Sequence, residues 1–105
     1  MNNFGGKIKE AGVWQKVLDA DSSRAEVIIQ NTSLGLPGYD REGVHDGPAL
    51  EVWPFSTVPT TSDGASTGAA LCRRAGDAMR FAGTGSQGTF YVRGKAAATF
   101  AAITQ

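Results

Sequence analysis

Apolar and polar side chains alternate with a period of two over several short stretches of this chain, the spacing that gives a β-strand one buried and one outward side. The clearest case is Ala25–Gln30, where Val27 and Ile29 fall on one side and Glu26, Ile28 and Gln30 on the other. Val13–Leu18, Ala49–Phe55, Ala69–Arg74, Ala78–Ala82, Thr89–Arg93 and Ala97–Thr104 are further strand-like runs, with Pro54 closing the second because it has no N–H to give to a ladder. The alanines at 69, 70 and 75 leave a short helix as the alternative there. No three- and four-residue apolar spacing persists long enough to set up an amphipathic helix.

The stretches between these runs are polar and rich in turn formers. Asp19–Arg24 reads as a turn, and Asn31–Pro48, with four glycines and two prolines, reads as a long loop. Ser56–Gly68, almost entirely Ser, Thr, Gly, Pro and Asp, reads as a second one. Gly94, Lys95 and Ala96 predict a hairpin turn between the last two runs, and Ala75, Gly76 and Asp77 a short turn between the two before. The paired Asn2–Asn3 and Gly5–Gly6 predict that residues 1–12 form a flexible arm ahead of a single domain over 13–105. The expected fold is all-β, a small antiparallel sandwich or barrel of six to eight strands with that arm and two long loops.

Composition narrows the function classes. The chain has 105 residues, enough for one core and not for two. Ten Lys+Arg balance ten Asp+Glu, so no net field gathers a polyanion, and neither nucleic acid nor an anionic membrane is expected as a partner. Cys72 is the one cysteine, so packing rather than a disulfide must hold the fold. No apolar run reaches the length of a membrane span and Met1–Lys9 lacks a secretory apolar stretch, which predicts synthesis as a soluble cytoplasmic protein.

Candidate chemistry is sparse. His45, between Val44 and Asp46, is the one imidazole, and its glycine-rich setting suits a solvated loop residue better than an acid–base group or metal ligand. A Ser-His-acid site would have to be built on it alone. Asp19, Asp21, Asp40, Glu42 and Asp46 lack the alternating spacing of a calcium loop and read as turn formers. Gly83-Thr84-Gly85-Ser86-Gln87-Gly88 matches GxGxxG, but a strand-like run follows where a phosphate-binding helix is required. Asn31-Thr32-Ser33 has the form of a glycosylation acceptor and is read as a turn. No enzyme activity, metal or cofactor is expected.

Binding chemistry offers more. Trp14, Trp53, Phe55 and Tyr91 are large surfaces suited first to the core and second to an interface anchor or sugar platform. Arg73 and Arg74, with Arg80 and Arg93, form either a basic strip for a carboxylate-bearing partner or a solvated edge that blocks strand pairing.

The run Val17-Leu18-Asp19-Ala20-Asp21-Ser22-Ser23-Arg24-Ala25-Glu26-Val27-Ile28-Ile29-Gln30-Asn31, followed by Gly76-Asp77-Ala78-Met79-Arg80-Phe81 and Thr89-Phe90-Tyr91-Val92-Arg93-Gly94-Lys95-Ala96, resembles small β-sandwich structural accessory proteins of tailed bacteriophages. The resemblance implies a virion protein, a capsid decoration protein or a tail component. It further implies the phage major capsid protein or another virion protein as partner, and a homo-oligomer, with trimers common. In that setting the expected contacts are Asn3, Phe4, Lys7 and Lys9 of the arm, Thr57, Val58 and Thr60 of the second loop, and Arg73 and Arg74. The alternative is a carbohydrate-binding or receptor-recognition module in which Tyr39, Trp53 or Tyr91 stacks on a sugar ring.

Overall fold

Period-two burial is carried through the folded chain. In the computed structural model, which describes residues 2–32, 50–72, 76–94 and 98–105, the alternating runs form strands and Asn2–Lys7 adds one more. They are β1 (Asn2–Lys7), β2 (Gln15–Leu18), β3 (Glu26–Asn31), β4 (Leu50–Trp53), β5 (Ala70–Cys72), β6 (Ala78–Ala82), β7 (Phe90–Arg93) and β8 (Thr99–Thr104). The helical content of the described residues is two short 3₁₀ turns, Ala65–Thr67 and Gly83–Ser86. The fold is the expected all-β sandwich, at the upper end of the expected strand number.

Two four-stranded antiparallel sheets face each other, ordered β1-β8-β3-β6 and β2-β7-β4-β5. Strand 1 pairs with 8, 2 with 7, 3 with 6 and 4 with 5, so the chain is one long antiparallel ribbon folded back on itself and wrapped. That is the connectivity of a jelly roll. Between the sheets lie Val27 and Ile29 of β3, Phe100 and Ala102 of β8, Leu50 and Val52 of β4, Phe90 and Val92 of β7, and Cys72 of β5. Buried Asn31 ties the layers together by donating its side-chain amide to the Cys72 carbonyl of the opposite sheet at 3.0 Å.

The expected flexible arm is the first correction. Asn2–Lys7 is an edge strand in continuous register with β8, from Asn2 opposite Thr104 to Lys7 opposite Thr99. Ile8, next in sequence, is a buried core residue. One of the glycines that suggested mobility serves packing: a Cβ on Gly6 would fall 2.5 Å from Cζ of Phe100, so the Phe100 ring lies where only a glycine leaves room. Residues 2–12 therefore belong to the domain instead of preceding it.

The predicted hairpin over the last two runs is the second correction. β7 joins β2 and β4 in one sheet, whereas β8 joins β1 and β3 in the other. The turn expected between β5 and β6 likewise links different sheets. Among the described strands, the sequence neighbours that do pair are β4 and β5, and the long loop after Trp53 joins them. Most of the Asn31–Pro48 loop, with Tyr39, Asp40, Glu42, His45 and Asp46, lies outside the described residues, as do Arg73, Arg74, Lys95 and Ala96.

Candidate functional site: a strap over the outer face of one sheet

Strand alternation turns Leu50 and Val52 inward, which sends Glu51 and Trp53 to the outer side of β4. The register then places Glu51 opposite Arg93, Trp53 opposite Tyr91, and Tyr91 opposite Lys16. On this face the Arg93 guanidinium grips both Glu51 oxygens at 2.9 Å and lies 4.3 Å from the ring centroid of Trp14. Trp14 and Trp53 pack at 6.1 Å, and Phe55 meets Trp53 edge-on at 5.0 Å. A forked arginine stacked on an indole is the strong form of both contacts, because its charge keeps a carboxylate partner while its flat face replaces water on the ring.

Residues 54–68 cross this cluster as a strap. Trp53 Nε1–H donates to the Thr57 carbonyl at 2.8 Å and Trp14 Nε1–H to the Thr60 carbonyl at 3.0 Å. Arg93 directs two further donors to the carbonyls of Thr61, at 3.0 Å, and Asp63, at 2.6 Å. All four fastenings run from side chains at the sheet to main-chain oxygens of the strap, so none depends on a strap side chain. Within the strap, the Asp63 carboxylate accepts the Thr60 N–H at 2.8 Å, which with the Thr67 and Thr60 hydroxyls holds its carboxyl below the ordinary value of 3.8. Held in this way, the strap leaves Val58 75% exposed at its outer turn, with Thr57, Thr61 and Ser62 also in solvent.

A second built feature sits at one end of the sandwich. Arg24 is buried, and its guanidinium donates to three carbonyls: Ser86 at 2.6 Å, Gly88 at 2.7 Å and Asp19 at 3.1 Å. The Ser86 hydroxyl answers with its one proton, within reach of the Gly83 carbonyl at 2.7 Å and the Arg24 carbonyl at 3.1 Å. These bonds pin the glycine-rich segment 83–88 as a 3₁₀ turn running into β7, the strand that the GxGxxG reading could not accommodate. Between that segment, the start of the strap and Phe81 opens a cleft of about 450 Å³.

No family model, curated protein or solved structure matches this chain. The site must be read from its own residues.

Of the expected contact residues, Asn3 and Phe4 lie in β1, at register positions opposite Ile103 and Ala102. Lys7 and Lys9 are exposed at the end of that strand, and the Lys9 N–H donates to Gln15. Thr57, Val58 and Thr60 all fall on the strap, separated from β1 by the sandwich connectivity. Trp53 is only 7% exposed, sealed by Trp14, Phe55 and the strap, so it offers no face to a sugar. Tyr91 is half-buried beside it, opposite Lys16.

The basic strip also resolves differently. Arg80 and Arg93 sit in opposite sheets, and each is paired with a carboxylate, Glu26 and Glu51 respectively. Asp21 caps its own turn by accepting the Ser23 N–H and hydroxyl, while exposed Asp19 pairs with Lys16 at 2.7 Å. Asn31 is fully buried, which removes it as a glycan acceptor. Burial also pushes the Cys72 thiol up to about 11, so this sulfur is a core group rather than a nucleophile. Sequence reasoning missed Glu51, Asp63 and the cleft. The two-residue spacing of Glu51 and Trp53, repeated by Tyr91 and Arg93, was the available signal, but it acquires meaning only once β4 and β7 are known to be neighbours.

Proposed function

We propose that this chain is a non-enzymatic accessory protein of a phage virion that docks on the capsid lattice through its strap. The observation that supports this reading is the manner in which the strap is held. Its main chain is fastened at four carbonyls while Val58 stands exposed among hydroxyl side chains, so a partner meets a preordered surface and little conformational entropy is lost on contact. One apolar anchor ringed by polar groups is the usual anatomy of a small protein–protein contact, and repetition over a lattice multiplies it. Jelly rolls serve as capsid domains and as lectins, an analogy of fold that raises the prior and carries no site. With β1 built into the sheet, the docking role passes from the expected arm to the strap, with Lys7 and Lys9 at the far end of β1 as secondary charged contacts.

Sedimentation with shells assembled from the major capsid protein of the encoding phage tests the proposal. The wild-type chain should co-sediment, and Val58→Asp should weaken binding at least about tenfold, a loss of ~1.4 kcal/mol, with an unchanged circular dichroism spectrum. A wild-type chain that stays in the supernatant, or a Val58→Asp variant that binds as well, would overturn it.

A further inference from the structure

The cleft at the end of the sandwich has chemistry of its own. Two aromatic rings line it, and both are fixed from behind. Phe55 is 44% exposed, yet one edge is held by Trp53 at 5.0 Å and another by Gly68, where an added Cβ would lie 3.0 Å from Phe55 Cε2. Phe81 is braced edge-on against buried Phe90 at 5.1 Å. Pro54 completes the apolar wall, and the hydroxyls of Ser56 and Thr84 stand at its margin. Ser56 Oγ accepts the Thr89 N–H at 3.3 Å and so keeps its own proton to donate. Among the described residues the Thr84 hydroxyl has no protein partner. Gly85 keeps the opposite side open, since a Cβ there would meet nothing within 4 Å.

We propose that this cleft binds a neutral hexose ring, stacked on Phe55 and hydrogen-bonded by Ser56 and Thr84. Charge decides the class of ligand. Among the described residues no ionisable side chain lines the cleft, so against this lining a phosphate, carboxylate or ammonium would lose its hydration without a counter-charge. A pyranose carries no charge, presents a face of C–H groups suited to a fixed aromatic ring, and carries a rim of hydroxyls suited to the Ser56 and Thr84 oxygens. The cleft volume of about 450 Å³ lies in the range of small-molecule sites and accommodates such a ring. The platform is Phe55, held rigid by Trp53. That differs from stacking on Trp53 itself, which is sealed. The site is independent of docking through Val58, which does not line it.

Titration of the chain with neutral methyl hexosides (gluco, galacto, manno and N-acetylglucosamine), followed by amide and aromatic nuclear magnetic resonance shifts, reads the proposal directly. At least one should give saturable shifts at Phe81 and Gly85. Phe55→Ala should weaken that sugar at least about tenfold, and Gly85→Leu, which fills the cleft from an open position, should abolish binding while the rest of the spectrum is retained. A methyl sialoside should not bind, and Val58→Asp should titrate as the wild type does. No saturable shift with any neutral hexoside, equal binding of the sialoside, or undiminished binding in Gly85→Leu would each overturn the inference. So would saturation of the same resonances by a proline-rich peptide when no sugar binds.

Discussion

Two single residues carry more of this fold than their types suggest. Gly6 is a strand residue whose missing Cβ makes room for the Phe100 ring. Gly6→Ala should therefore cost roughly 1–3 kcal/mol in urea unfolding, the ordinary range for overpacking a filled site, and the penalty should shrink in a Phe100→Leu background. Gly5→Ala is the control: its Cβ would sit 3.8 Å from the Phe100 carbonyl, an ordinary contact, and its effect should be near zero. Arg24 is the other. Its fork organises three carbonyls contributed by two loops, and Arg24→Met leaves those acceptors without donors. A loss of about 3 kcal/mol is expected. Lysine should not restore it, because one ammonium cannot reproduce the planar spread of the guanidinium.

At the scale of the element, the strap is a loop whose stability comes from the sheet beneath it. Arg93→Lys keeps the charge but loses the fork that joins Glu51 to the carbonyls of Thr61 and Asp63. The variant should stay folded while tryptophan emission moves to the red and cleavage within residues 57–63 accelerates. The Asp63 carboxylate gives the same element an acid limit. Its carboxyl lies below 3.8 when folded, chiefly because of the Thr60 N–H, so its contribution is fully present above that value and is lost as pH falls through the folded value. Strap protection should therefore be flat from neutral pH down to about 4 and decline below it. Asp63→Asn should remove that acid step and lower protection at neutral pH, both followed by tryptophan fluorescence.

For the molecule as a whole, the wrapped ribbon makes the two ends of the chain mutually dependent. β1 pairs with β8, so Asn2 lies opposite Thr104, and the core residue Ile8 follows directly. Deleting residues 1–7 should strip one edge from β8, uncover Phe100 and lower the melting temperature sharply, with aggregation through the newly free edge. A dispensable arm would leave the melting temperature unchanged, so one thermal scan separates the two pictures. Nearly every pairing is between distant segments, and refolding should accordingly fall in the millisecond-to-second range expected of non-local β topologies.

The alternation of Val27 and Ile29 against Glu26 and Gln30, and its repeats in later runs, already determined that the chain is all-β and that Val27 and Ile29 point inward, because side-chain direction in a strand is a local property with a fixed period. The turn-rich composition of residues 56–68 likewise marked the segment that became the strap. Pairing was decided elsewhere. Backbone hydrogen bonds are the same for every residue type, so nothing local says that β7 belongs with β4 instead of β8, or that Gly6 marks a tight contact with Phe100 and not a mobile arm. The Trp14–Arg93–Glu51 cluster draws on β4, β7 and the residue just ahead of β2, and the cleft draws on the strap, β6 and the glycine turn. Such sites exist only after the ribbon has wrapped, because closing distant segments into one core is what brings their side chains within reach of each other.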